Sequence, residues 1–141
     1  MILADTNVVS EFMRERPDPR VAEWAGRLQP TAVVICVVTV EEIERRIGRL
    51  AGGRRRSELQ SRWSGLLDAY ADSILAYDVQ CARMTAQVLV EREKAGRPMA
   101  LADAQIAGIA LVHGCTLATR NVADFRGIPS LELVGPFASE P

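Results

Sequence analysis

Short apolar runs alternate along this chain with longer stretches that are apolar on one face only. Five runs, 1–4, 33–38, 74–77, 115–118 and 131–134, are rich in β-branched and aliphatic residues and read as strands. They scarcely alternate between apolar and polar, which is the pattern of strands covered on both faces, as in a parallel sheet with helices on each side. Between them the helical periodicity predicts helices over 8–13, 19–28, 40–50, 55–70, 79–95 and 101–113. Gly52-Gly53 punctuates the third and fourth helices, and Gly96-Arg97-Pro98 the fifth and sixth. The expected fold class is α/β, a three-layer arrangement with a short central parallel sheet of about five strands flanked by helices. At 141 residues, residues 1–141 are expected to form a single domain with a core that requires neither disulfides nor a structural metal.

The sixth helix stands apart because Asp103 is the only charge between Met99 and Val112. A helix apolar on nearly all sides is buried, so its one carboxylate is desolvated and needs a partner. In a parallel sheet this helix feeds the strand at 115–118 and runs antiparallel to it, which puts Asp103 at the carboxyl edge of the sheet. Asp5 directly follows the first strand, Glu42 lies in the first turn of the helix after the second, and Asn121 and Asp124 follow the fourth. Acids from four segments therefore meet where open parallel sheets bind their ligands. Like charges at close range raise one another's pKa, and a cluster of them persists at neutral pH when a cation compensates it. With no nitrogen or sulfur ligand nearby, the hard oxygen donors select Mg²⁺, with Mn²⁺ as the other option, held directly by Asp5 and Asp103. A metal so held activates water and stabilises charge developing on a phosphodiester.

Each acid also has a plain structural explanation. Asp5-Thr6-Asn7 is rich in N-cap residues, and Thr39-Val40-Glu41-Glu42 spells a capping box with Thr39 as cap and Glu42 reaching back to it. Asp103 suits the positive end of a helix dipole, and Asn121 and Asp124 are turn formers. Taken singly these suffice, and for Glu42 capping is the better single explanation. Taken together they do not say why independent caps gather at one sheet edge.

Charge and cysteine usage narrow the classes further. The net charge is −1, so no global positive field draws in nucleic acid. Between Glu42 and Arg62, however, seven arginines face three glutamates, a local basic surface that is either an RNA contact or a solvated helix face. Cys36, Cys81 and Cys115 are scattered through apolar stretches, as small buried residues of a reducing compartment are. The single histidine, His113, excludes mechanisms that need two. Neither an export leader nor an 18-residue apolar run is present, so no membrane association and a cytoplasmic location are expected.

Four segments in order, Leu3-Ala4-Asp5-Thr6-Asn7, Thr39-Val40-Glu41-Glu42-Ile43, Ala102-Asp103-Ala104-Gln105-Ile106-Ala107 and Ala118-Thr119-Arg120-Asn121-Val122-Ala123-Asp124-Phe125, resemble those of PIN-domain proteins of the VapC type, above all the FitB-like branch. The likeness runs from Met1 to about Pro136 and takes in Glu23-Trp24, the basic stretch near Arg54 and Gly135-Pro136. Each motif alone is weak, and four in order across one domain are strong. The resemblance implies a PIN fold, metal-dependent cleavage of RNA, homodimers, and neutralisation by a small antitoxin, with toxin–antitoxin complexes of higher order. It carries the family's acids over to Asp5, Glu42 and Asp103. FitB-like members can have Asp where this chain has Asn121, so the fourth acid is absent or supplied by Asp124.

Rivals fare worse. A phosphoacceptor receiver domain wants a lysine after a late strand, and the one lysine, Lys94, falls on the fifth predicted helix. A haloacid-dehalogenase-type phosphatase wants a second aspartate at position 7, which is Asn. The alternative from another class is a catalytically weak PIN-fold interaction module acting through a partner protein or DNA, and Asn121 is what favours it.

Overall fold

The computed structural model describes residues 1–138. Five parallel strands form one sheet, β1 (Ile2–Ala4), β2 (Val33–Cys36), β3 (Ile74–Leu75), β4 (Thr116–Ala118) and β5 (Leu133–Val134), in the order β3-β2-β1-β4-β5. β1 is central: Leu3 pairs with Val34 on one side and Leu117 on the other. Chain order runs outward from β1 through β2 to β3, then resumes across β1 at β4. The reversal leaves a crevice at the carboxyl ends of β1 and β4.

Helices cover both faces. α1 (Thr6–Phe12), α2 (Pro19–Gly26), α3 (Val37–Arg49) and α4 (Arg54–Ala69) contribute Val8, Val21, Ile43 and Trp63 to the core under Ala4, Val33 and Ile35. α5 (Val79–Lys94) and α6 (Leu101–His113) pack Val88, Ile106 and Ile109 against Leu3, Val34 and Cys36 on the other side, joined by Phe125 of the short α7 (Val122–Phe125). Successive strand residues thus enter opposite cores, which is why the runs read as continuous apolar segments.

The three-layer α/β expectation matches, and α6 has the bounds expected of it. Strand ends were overextended. β2 stops at Cys36 rather than Val38, and β3 at Leu75 rather than Tyr77, because the ladder between them consists of Ile35 opposite Ile74 and Cys36 opposite Leu75. α6 lies so close to α5 that a Cβ at Gly108 would collide with the Thr85 hydroxyl and press on the Cys81 carbonyl. It ends at Gly114, whose φ of +65° is the left-handed turn a glycine takes freely, with Cys115 N donating to Ala110 O at 2.9 Å. All three cysteines are buried and free. Among the described residues no helix is long and apolar enough to cross a membrane.

Candidate active site

Asp5 sits at the crevice. Its backbone N–H extends the β1–β4 ladder by donating to Ala118 O at 2.9 Å, and its side chain caps α1 by accepting from Val8 N at 3.0 Å. The capping reading of Asp5 is therefore correct as far as it goes. It does not account for the rest of the environment. Asp5 is buried, and the Thr119 hydroxyl, itself fully buried, hydrogen-bonds to it while accepting the Asn121 amide N–H at 3.0 Å. Burial nonetheless dominates, and with a smaller push from Glu42 it raises the Asp5 pKa above its ordinary value.

The capping box does not form. α3 begins at Val37 with Cys36 as its cap residue, so Glu42 lies in the second turn rather than the first, and Thr39 is inside the helix. The strand-favouring residues Val37 and Val38 enter the helix because β2 has no further ladder partner, and tertiary context overrides their local preference. Thr39 is fully buried, 3.2 Å from the Thr6 hydroxyl, and Thr6 donates to Glu42 Oε1 at 2.7 Å. Glu42 is thereby fixed against α1, beside Asp5.

Asp103 is the third residue of α6, whose preceding cap residue, Ala100, offers no side-chain bond. Half-burial raises its pKa first, and then Glu42, Asp5 and Asp124 raise it in that order. Acids from three other segments thus act on this one carboxylate, which is the convergence expected from a parallel sheet with antiparallel returning helices.

Asn121 and Asp124 are both exposed. The segment after β4 closes one helical turn, with Asp124 N donating to Asn121 O at 3.0 Å, so the two lie on neighbouring positions of one face. Its position depends on a residue the sequence reading passed over. Arg92 on α5, buried to 8% exposure, donates from Nε to Arg97 O at 2.9 Å, from Nη1 to Arg126 O at 2.9 Å and from Nη2 to Asp124 O at 3.1 Å. A guanidinium buried against three carbonyls locks the C-terminal end of α7 to α5. Thr6 and Thr39 were read only as capping residues, and Thr119 was given no role. Their signal was adjacency, since a threonine stands one residue from Asp5, three from Glu42 and two from Asn121.

Among the described residues no three acids, thiols or imidazoles enclose a metal ion by themselves. The donor set still fits a hard divalent cation, because Mg²⁺ commonly takes one or two carboxylates and completes its shell with water. Asp5 and Asp103 supply two, and the electrostatic strain on both is what such a cation relieves.

The basic surface is largely engaged within the fold. Arg45 pairs with Glu41 and Arg54 with Glu58, while Arg46 donates to Ser10 Oγ, Arg56 to Leu50 O and Arg62 to Met13 O. Arg46 and Arg62 border an open groove of about 560 Å³ floored by Ile43, Ile47 and Leu59. None of Asp5, Glu42, Asp103, Asn121 and Asp124 lines that groove. The acids define the candidate chemistry, since a groove with an apolar floor brings no reactive group.

Comparison with known proteins agrees with this geometry. The toxin FitB of Neisseria gonorrhoeae is 35% identical over 89% of this chain and 91% of its own, and a VapC ribonuclease of Sinorhizobium fredii is 30% identical over 97% and 98%. The solved structure of FitAB bound to a DNA fragment superposes with a TM-score of 0.89 at 31% identity, covering 100% of this chain and 99% of that one. The family model for the PIN domain matches residues 2–129, which takes in the sheet from β1 to β4 and all five site positions, and the chain is accordingly a member of the PIN-domain family.

Proposed function

We propose that this protein is a divalent-metal-dependent endoribonuclease of one domain, the toxin of a type II toxin–antitoxin pair. The observation that carries the proposal is the gathering of Asp5, Glu42, Asp103 and Asp124 from four segments at one sheet edge, where burial first and then the other three acids raise the Asp103 pKa, as in a pocket suited to a cation. The names of its relatives supply the substrate class and the biological role, since FitB is a toxin and the Sinorhizobium protein a ribonuclease.

Asp5 and Asp103 would hold Mg²⁺, or Mn²⁺ in its place, and an ion held there would supply stabilisation of the negative charge that develops on a phosphodiester. Glu42, oriented by the Thr6 hydroxyl, takes the proton of the attacking water at its carboxylate. Thr119 fixes Asp5 and, through the Asn121 backbone, the start of α7. Asn121 and Asp124 act from the exposed rim on water around the metal.

The proposal extends to partners. A crowded carboxylate pocket attracts a guanidinium when no metal is bound, so a small antitoxin neutralises the protein by inserting a basic side chain, an arginine by its geometry. Dimerisation of the protein and a complex of higher order with the antitoxin belong to the same proposal, supported by the likeness to the FitB-like branch. A cytoplasmic location belongs to the same proposal, and the three free, buried cysteines support it.

Expression of the protein alone should arrest growth, and Asp5→Ala should abolish the arrest. Equal arrest by Asp5→Ala would favour the second reading, a catalytically weak interaction module, which the uncharged Asn121 supports.

A further inference from the structure

Arg120 lies between Thr119, which holds Asp5, and Asn121, whose amide holds Thr119. Along this extended segment Thr119 points inward and is fully buried, and Arg120 is exposed. Its guanidinium carbon lies 4.4 Å from the centroid of the Phe137 ring. Phe137 is itself anchored in the core with Ala4, Val8 and Ala118, so the ring is a fixed platform. Among the described residues no acceptor takes a hydrogen bond from the Arg120 N–H groups. Asp18, on which its charge acts, is already matched by Arg20, with Nε to Oδ1 at 3.1 Å and Nη2 to Oδ2 at 2.8 Å.

This setting differs from that of the other arginines around the crevice. Arg92 is engaged by three carbonyls and Arg46 by Ser10. Arg120 lies over an aromatic ring, is exposed, and makes no hydrogen bond to another described residue. A guanidinium held in this way loses little freedom when its fork meets a phosphate, and its open face can stack a base. A pocket of carboxylates repels an approaching polyanion, so a fixed cation at its rim has an electrostatic function there.

We propose that Arg120, held on the Phe137 ring one residue beyond the threonine that anchors Asp5, is a substrate-positioning residue that takes a phosphate of the RNA strand at the rim of the carboxylate site. The proposal rests on the nuclease reading above. It assigns Arg120 no part in the chemical step, only in seating the strand.

The test is binding of a fluorescein-labelled single-stranded RNA oligonucleotide, followed by anisotropy across a NaCl series. It compares full-length Asp5→Asn protein, in which cleavage is off, with Asp5→Asn carrying Arg120→Gln as well. Gln preserves a flat side chain over the ring and removes the charge. One lost phosphate contact lowers the slope of log K against log salt by about 0.7 for a single strand. Arg120→Lys retains the charge and should keep most of the slope. In the otherwise native chain Arg120→Gln should raise KM with kcat nearly kept and the melting temperature unchanged, a split that a merely structural strap would not produce.

Equal salt slopes for the two proteins overturn the proposal, as does a failure of both to bind RNA. It is overturned equally if Arg120→Gln weakens capture of an acidic antitoxin peptide and leaves the RNA slope untouched, since the arginine then serves the protein partner. Failure of the nuclease reading is visible separately, as RNA left intact by the unmodified protein or cut by Asp5→Asn.

Discussion

Thr6 donates its hydroxyl to Glu42 Oε1 at 2.7 Å, tying the first turn of α1 to the second turn of α3 across the mouth of the crevice. A glutamine at position 42 can accept the same bond through its own Oε1, so the fold should tolerate it. It cannot take a proton from water. Glu42→Gln is therefore expected to change stability by no more than about 0.5 kcal/mol in urea unfolding while cutting RNA cleavage by about 10²-fold or more. Cleavage at the unmodified rate would reduce Glu42 to an acceptor for Thr6.

Burial and the neighbouring acids hold the pKa of Asp103 above its ordinary value of 3.8, so the folded metal-free protein prefers this carboxyl protonated. The sign follows from linkage. The stabilising contribution is fully present below the ordinary value and is lost as pH rises through the raised one, so at neutral pH the ionised group works against the fold. Asp103→Asn should melt higher than the unmodified protein at neutral pH in EDTA, and should lose both activity and the Mg²⁺-induced rise in melting temperature. A variant that melts lower in EDTA would mean that Asp103 has a stabilising partner instead.

The same shifts on Asp5 and Asp103 set the acid limb of activity. Cleavage requires both groups ionised, so the rate should fall as pH drops, with a limb above the ordinary aspartate value of 3.8 at low Mg²⁺. Because protons and metal compete for the same oxygens, raising Mg²⁺ should move that limb to lower pH. A limb that stays in place over a wide range of Mg²⁺ concentrations would separate the metal site from these two acids.

Arg92 offers a test away from the acids. Arg92→Met preserves much of the buried volume and leaves the carbonyls of Arg97, Asp124 and Arg126 without their donor. The expected loss is on the order of 3 kcal/mol of unfolding free energy, with weaker activity at temperatures where the variant is still folded, because α7 is no longer held to α5. Unfolding unchanged by the substitution would show that water replaces the guanidinium without cost.

Burial on both faces made the five strands legible as continuous apolar runs, and the lack of charge on α6 gave that helix its bounds and marked Asp103. A parallel sheet and the rule that helices return antiparallel to the strands they feed were enough to put Asp5, Glu42, Asp103 and the 121–124 segment at one edge, whereas the strand order was not read from the sequence. The start of α3 was not legible, because Val37 and Val38 favour a strand locally and only the short pairing of β2 with β3 denies them one. Thr39 looked like a cap letter, and Thr119 was given no role. Their roles come from complete burial next to acids on other segments, a property of the packed fold. Arg92, flanked by Glu91 and Glu93, looks in the sequence like part of a solvated charged face, and its three acceptors lie on segments distant in the chain or past the helix end.

The fourth position of the site is decided by the two rim residues. α7 places Asn121 and Asp124 on one face of a single turn, both exposed, and Asp124 contributes to the field that raises the Asp103 pKa. Asn121 brings no charge, and its backbone already serves the turn by accepting from Asp124 N and donating to Thr119 Oγ1. If Asp124 supplies the fourth carboxylate through water around the metal, Asp124→Asn should lower the cleavage rate more than Asn121→Ala does. Asn121→Asp should preserve or raise the rate, because a second rim carboxylate strengthens the attraction for the cation. Purified variants compared at saturating Mg²⁺ on one RNA decide the matter. A silent Asp124→Asn beside an inactive Asn121→Ala would move the fourth site to the Asn121 carboxamide and leave Asp124 as a residue of the turn.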